Sequence, residues 1–139
     1  MRLTILAAIT LSLGAPAHAQ GLSTADQVRP ILQMTAAQWI GVREWDGQDL
    51  VYFTQLLPFR CGLEGIRYAI NDATEFTLFP AEPCPPEQDG ETFATIDAES
   101  YLPYLEFPLG SVETVAVSIT YDDGGVQTQV YKRDDIKIP

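Results

Sequence analysis

Apolar and polar positions alternate most clearly between Trp39 and Leu56, which reads WIGVREWDGQDLVYFTQL. Two runs rich in β-branched and aromatic residues flank Asp46-Gly47, the dipeptide best suited to a two-residue type I′ turn, and they predict a β-hairpin. With those residues at the turn, Trp45 faces Gln48, and the ladder continues through Glu44–Asp49, Arg43–Leu50, Val42–Val51, Gly41–Tyr52 and Ile40–Phe53. One face then carries Ile40, Val42, Val51 and Phe53 as a core face. The other carries Trp39, Arg43, Trp45 and Tyr52. Apolar side chains on both faces predict a ribbon covered on both sides.

Helical spacing precedes this ribbon. Val28, Ile31, Leu32, Thr35 and Trp39 form an apolar stripe at i, i+3, i+4, i+7 and i+11, so Gly21 to Gln38 reads as a helix. Thr24 with Gln27 fits a capping box, and Asp26 suits the positive end of the helix dipole. Pro30 is expected to kink the helix or reset its start.

After the hairpin, Leu57 to Gly62 is a connection. Leu63 to Ile70 alternates with Ile66, Tyr68 and Ile70 on one side. Asn71-Asp72 turns, and Glu75 to Phe79 returns with Phe76 and Leu78 expected inward. Pro80 to Gly90 (PAEPCPPEQDG) reads as an irregular loop. Between residues 91 and 111 the pattern is faint: Asp97 is a candidate cap for a short helix through Leu102, ended by Pro103, and Phe107 to Gly110 is extended and then turning. A second hairpin closes the chain. Taking Asp123-Gly124 as its turn pairs Tyr121–Val126, Ile119–Thr128 and Val117–Val130, and the Asp134-Asp135 and Lys137 tail is expected to be solvated.

These elements add up to an α+β domain, an N-terminal helix packed on an antiparallel sheet of about six short strands built from hairpins. A β-sandwich or small barrel with an appended helix is the alternative.

Residues 1–19 stand apart from that domain. Met1-Arg2 is a short positive start, Leu3 to Leu13 is apolar but too short to span a bilayer, and Ala17-His18-Ala19 offers an A-x-A cleavage site. The expectation is a signal peptide cleaved after Ala19, with residues 20–139 forming a single exported globular domain, periplasmic or secreted. Export brings an oxidising compartment, so Cys61 and Cys84 are expected to pair as a structural disulfide.

Charge narrows the partners. Without Arg2, 7 basic residues face 19 acidic ones, a formal charge of −12. Such a chain repels nucleic acid and anionic membranes and attracts cationic partners. Composition narrows the chemistry further. The one histidine is His18, so the mature chain has none, which disfavours Ser-His-Asp and Cys-His catalysis and histidine-ligated metals. No cofactor motif is present, because Gly124-Gly125 lies in a hairpin rather than between a strand and a helix.

Three candidate sites remain. Trp39, Arg43, Trp45 and Tyr52 form an aromatic–arginine set suited to sugars, peptides or planar ligands, with Trp45 the member nearest the exposed turn. Glu44, Asp46 and Asp49 cluster at the hairpin tip, where carboxylate oxygens are candidates to hold a hard cation such as calcium, although no EF-hand loop is present. Glu64, Glu75 and Glu106 are candidates for a glycosidase carboxylate pair, with nothing to select among them. The leading expectation is a non-enzymatic binding or interaction module engaging a protein partner, a cationic one by charge. The alternatives are a small carboxylate-dependent glycan hydrolase or glycan-binding protein, and an accessory subunit of an envelope complex. The sequence leaves the oligomeric state open.

Overall fold

The capping box expected from the sequence starts the first helix. In the computed structural model, which describes residues 22–85 and 97–139, helix α1 spans Ala25–Met34. The Thr24 hydroxyl accepts from the Gln27 amide, while the Gln27 side chain accepts from the amides of Thr24 and Ser23. The helix is shorter than expected. It runs through Pro30, which lies on its exposed side, and gives way at Thr35 to a 3-10 turn at Ala36–Gln38. The amide and hydroxyl of Thr35 both donate to the Ile31 carbonyl, taking up groups that the helix end would otherwise leave unpaired. Ala25, Val28 and Leu32 are the buried stripe.

The chain then forms β1 (Gly41–Trp45) and β2 (Gln48–Tyr52) in the register read from the sequence. Asp46 at φ 50° and Gly47 at φ 74° give the two positive values that a type I′ turn requires. A 3-10 segment at Leu57–Gly62 leads into β3 (Leu63–Ile70), and Asn71 and Asp72, both at positive φ, turn it into the short β4 (Thr77–Leu78). There follow β5 (Tyr104–Pro108), β6 (Thr114–Tyr121), β7 (Val126–Lys132) and a one-turn helix α2 (Arg133–Ile136). The fold is therefore α+β as expected, with seven strands among the described residues where about six were read. They divide into two sheets, in the orders β1-β2-β5 and β4-β3-β6-β7, with all strand pairs antiparallel.

One core joins the inner faces of both sheets and α1. Val42 and Val51 from the first sheet pack in the same cluster as Ile66, Val115, Val117, Ile119 and Tyr131 from the second and Val28 and Leu32 from the helix. Phe53, just past β2, stacks on Phe79 at 4.2 Å and meets Tyr68 at 5.9 Å, so one ring bridges the two sheets. The expected disulfide is present between Cys61 and Cys84. It ties the loop after β4 back to the start of β3, beside the nearly buried Arg60–Glu82 ion pair at 2.8 Å.

Three local expectations are corrected. Leu78 pairs with Arg67 and shares its outer face, so Leu78 and Phe76 are exposed and Phe79 turns inward instead. Asp97 does cap the amide of Ser100, but residues 98–100 make a single turn and no helix. The last hairpin is shifted by one residue. The Gly124 amide bonds to the Tyr121 carbonyl, Gly124 sits at φ 87°, and the Tyr121 amide bonds to the Gly125 carbonyl. The loop is thus Asp122-Asp123-Gly124, a three-residue turn with a glycine bulge, rather than the two-residue Asp123-Gly124. Because side chains alternate, the one-residue shift sends Val126, Thr128 and Val130 to the outer face and Gln127, Gln129 and Tyr131 to the inner one. The predicted cleavage site and residues 86–96 of the proline-rich loop and its sequel lie outside the described residues.

Candidate functional site

Glu44 and Asp49 stand opposite each other on the inner side of the first hairpin, as the register requires. Like charges so placed repel, and Asp49 is fully buried, so the pair needs a cation. The cation is Arg133. Its guanidinium meets Asp49 with both nitrogens, at 2.5 and 2.9 Å, and donates to Glu44 at 2.7 Å and to the Val112 carbonyl at 2.7 Å. Asp49 also accepts from the amides of Gly110 and Val112, both at 3.0 Å, with Gly110 at φ 74° bending the backbone into place. The Arg133 hydrogen bonds hold the Asp49 carboxyl well below the usual carboxylate range, and the two amides add to this against the opposing effect of burial. The guanidinium is in turn held more firmly protonated, first by its bonds to Asp49.

The candidate cation site at Glu44, Asp46 and Asp49 is not open in this form. Arg133 occupies the position a metal would take between Glu44 and Asp49, while Asp46 projects from the exposed turn. Among the described residues, no group of three or more His, Cys, Asp or Glu side chains is placed to hold a metal ion. Asp49, fixed as an ion with both oxygens engaged, is a structural clamp and not a proton carrier.

The aromatic–arginine set is brought together in part. Trp39 leaves it: the 3-10 turn before β1 drops its ring into the core, fully buried, where the indole N–H donates to the Leu32 carbonyl at 3.0 Å. Arg43, Trp45 and Tyr52 do share the outer face of the first sheet. The Arg43 guanidinium lies 4.3 Å from the Trp45 ring centre, and Trp45 is 57% exposed. Tyr52 meets Tyr104 of β5 at 5.2 Å. Leu50, between the edge strands of this face, is buried, so the face is covered at its centre and open at the tip.

Beside Tyr52 a groove of about 550 Å³ opens, lined among others by Gln38, Arg43, Tyr52, Thr54, Gln55 and Lys137. Gly41 also lines it, and an added Cβ there would fall 2.3 Å from the Ile138 side chain. That approach exists because the C-terminal segment runs along β1, with Val42 bridged to Lys137 and the Ile138 amide donating to the Val42 carbonyl at 2.7 Å. Of the carboxylates considered for glycan cleavage, Glu64 lies on β3 and Glu106 on β5, in different sheets, and Glu75 precedes β4; all three are exposed.

Comparison of the chain with family models, with curated proteins and with solved structures returned no match.

Two residues of this region were not singled out from the sequence. Tyr104 had a signal: Tyr104-Leu105-Glu106-Phe107 alternates between Pro103 and Pro108, with the apolar pair inward. Arg133 had none, since nothing local links it to an aspartate 84 positions earlier.

Proposed function

We propose that the protein is an exported, non-enzymatic interaction module that presents the tip of its first hairpin and an acidic surface to a cationic protein partner. The observation that carries this reading is Trp45, a largely exposed indole next to the exposed Asp46, on a hairpin held just below its turn by the Asp49–Arg133 clamp. An exposed aromatic next to the Asp46 carboxylate supports recognition of Arg- or Lys-bearing segments, because the ring accepts the cation and the acid pairs with it. Charge distribution supports it too. Arg29, Arg60 and Arg133 each face carboxylates within the fold, while Glu64, Asp72, Glu75, Glu99, Glu106 and Glu113 are exposed. The experiment is a fluorescence titration of the mature, oxidised protein with short basic peptides. The expected result is a change in Trp45 emission that disappears in Trp45→Phe and weakens steeply with salt. An unchanged spectrum, or one changed equally in that variant, would count against the tip.

A second reading, glycan binding, is supported by the groove beside Tyr52. Its volume suits a small ligand, and an aromatic ring with glutamine, threonine and arginine side chains is a set that stacks on and hydrogen-bonds to sugars. Titration with oligosaccharides in the same assay separates the two readings, since glycan binding in the groove is insensitive to salt.

A further inference from the structure

Each sheet has two edges, and an exposed strand edge is a template for another strand unless the sequence blunts it. Three of these edges are blunted. The C-terminal segment bridges to β1, β4 is two residues long, and β5 carries Pro108 and a charged Glu106. The fourth, β7, has none of these devices. It is seven residues long and, among the described residues, pairs on one side only, with β6. From Val126 to Tyr131 it has no charge, in a chain of net charge −11. Val126 and Val130 stand 63% and 67% exposed on its outer face.

We infer that β7 is a homodimerisation edge, pairing antiparallel with β7 of a second copy about a two-fold axis through Thr128. The sequence Val126-Gln127-Thr128-Gln129-Val130 reads the same in both directions. An antiparallel self-pair centred on Thr128 therefore sets valine against valine, glutamine against glutamine and threonine against threonine, matched cross-strand pairs that the two-fold axis repeats.

Hydrogen-bond phase agrees with that register. The Tyr121–Gly125 bond fixes Gln127, Gln129 and Tyr131 as the residues whose backbone turns to β6, so Val126, Thr128 and Val130 turn theirs to the open edge. In the self-pair those residues meet the partner's Val130, the partner's Thr128 and the partner's Val126, each exchanging N–H···O=C bonds. Charge agrees as well. The same register lays Lys132, just past the uncharged run, opposite the partner's Gly124, beside its acidic Asp122-Asp123 turn, and symmetry repeats the contact. The result is one continuous sheet of eight strands from two copies of β4-β3-β6-β7.

Single-cysteine variants of the oxidised protein test the axis. In Thr128→Cys the two thiols meet across a bonded pair with Cα atoms about 5.5 Å apart, which a disulfide fits. In Val126→Cys they lie roughly 13 Å apart, four residue steps along the strand. Mild oxidation is expected to give a covalent dimer with Thr128→Cys and at least tenfold less with Val126→Cys. Sedimentation of the unmodified protein is expected to show a concentration-dependent dimer. Val130→Lys, an exposed change that leaves the β6 bonds intact, abolishes it. Equal cross-linking of both cysteine variants, a monomer at every concentration, or a dimer unaffected by Val130→Lys would each overturn the assignment.

Discussion

Arg133 and Asp49, 84 residues apart, form a two-pronged ion pair that joins the one-turn helix α2 to the turn end of the first hairpin. Breaking one partner of such a buried pair costs about 3–5 kcal/mol, because the other charge is left without compensation. Arg133→Ala or Asp49→Ala is thus expected to lower stability by that amount in urea unfolding. The double variant Asp49→Leu/Arg133→Met is expected to lose far less than the sum of its parts, since no orphaned charge remains.

The same pair sets the acid limb of stability. The folded-state pKa of Asp49 is depressed, so its contribution is complete above the unfolded value, about 3.9, and is lost as pH falls toward the folded value. At the alkaline end Tyr131 acts in the opposite sense. Burial raises its phenol, which donates to the Ala36 carbonyl, so stability present below about 10 is lost as pH rises further. Melting temperatures across pH are expected to show a flattened acid limb in Asp49→Asn and a flattened alkaline limb in Tyr131→Phe.

The two tryptophans are expected to behave oppositely. Trp39→Ala empties a fully buried site and leaves the Leu32 carbonyl without its donor, a loss of about 3–5 kcal/mol. Trp45→Ala, at an exposed position, is expected to stay within about 0.5 kcal/mol. Acrylamide quenching of the two single-tryptophan variants checks the assignment independently, with strong quenching for Trp45 alone.

Reduction of Cys61–Cys84 frees a loop of 23 residue steps, worth roughly 3 kcal/mol by chain entropy. The Cys61→Ser/Cys84→Ser variant is expected to unfold at a lower urea concentration by that margin.

Gly62 is a packing requirement. An added Cβ would lie 2.6 Å from Val28 Cγ2 and 2.9 Å from the Thr24 carbonyl oxygen, so Gly62→Ala pushes α1 away from the start of β3. A loss of about 1–3 kcal/mol is expected in the same unfolding assay.

Elements with local signals were legible in the sequence. Asp46-Gly47 fixed both the turn and the register of the first hairpin, and Thr24 with Gln27 fixed the start of α1. The second hairpin was less determined because Asp122-Asp123-Gly124-Gly125 admits loops of two or three residues. The shorter loop kept Val126 and Val130 with the apolar face of β6, so the hydrophobic pattern favoured the wrong register; Gly124 is at positive φ but Asp123 is not, which fits the longer loop and not a type I′ turn. Phe76-Thr77-Leu78-Phe79 offered aromatic or aliphatic side chains on both faces, and only pairing with β3 decides which are buried. At the candidate site, Arg43, Trp45 and Tyr52 were legible from alternation. Trp39 was not, because a 3-10 turn interrupts the alternation just before β1. The Asp49–Arg133 pair depends on the tertiary fold, to which periodicity is blind.

Synthesis runs in one direction, and this gives the Asp49–Arg133 pair a place in time. The hairpin that buries Asp49 is made early, whereas its counter-charge is added 84 residues later. The groups that enclose Asp49, the amides of Gly110 and Val112, also precede Arg133 in the chain. A chain cut short before Arg133 is therefore expected to leave this carboxylate without its counter-charge and to lose the stability that the pair brings.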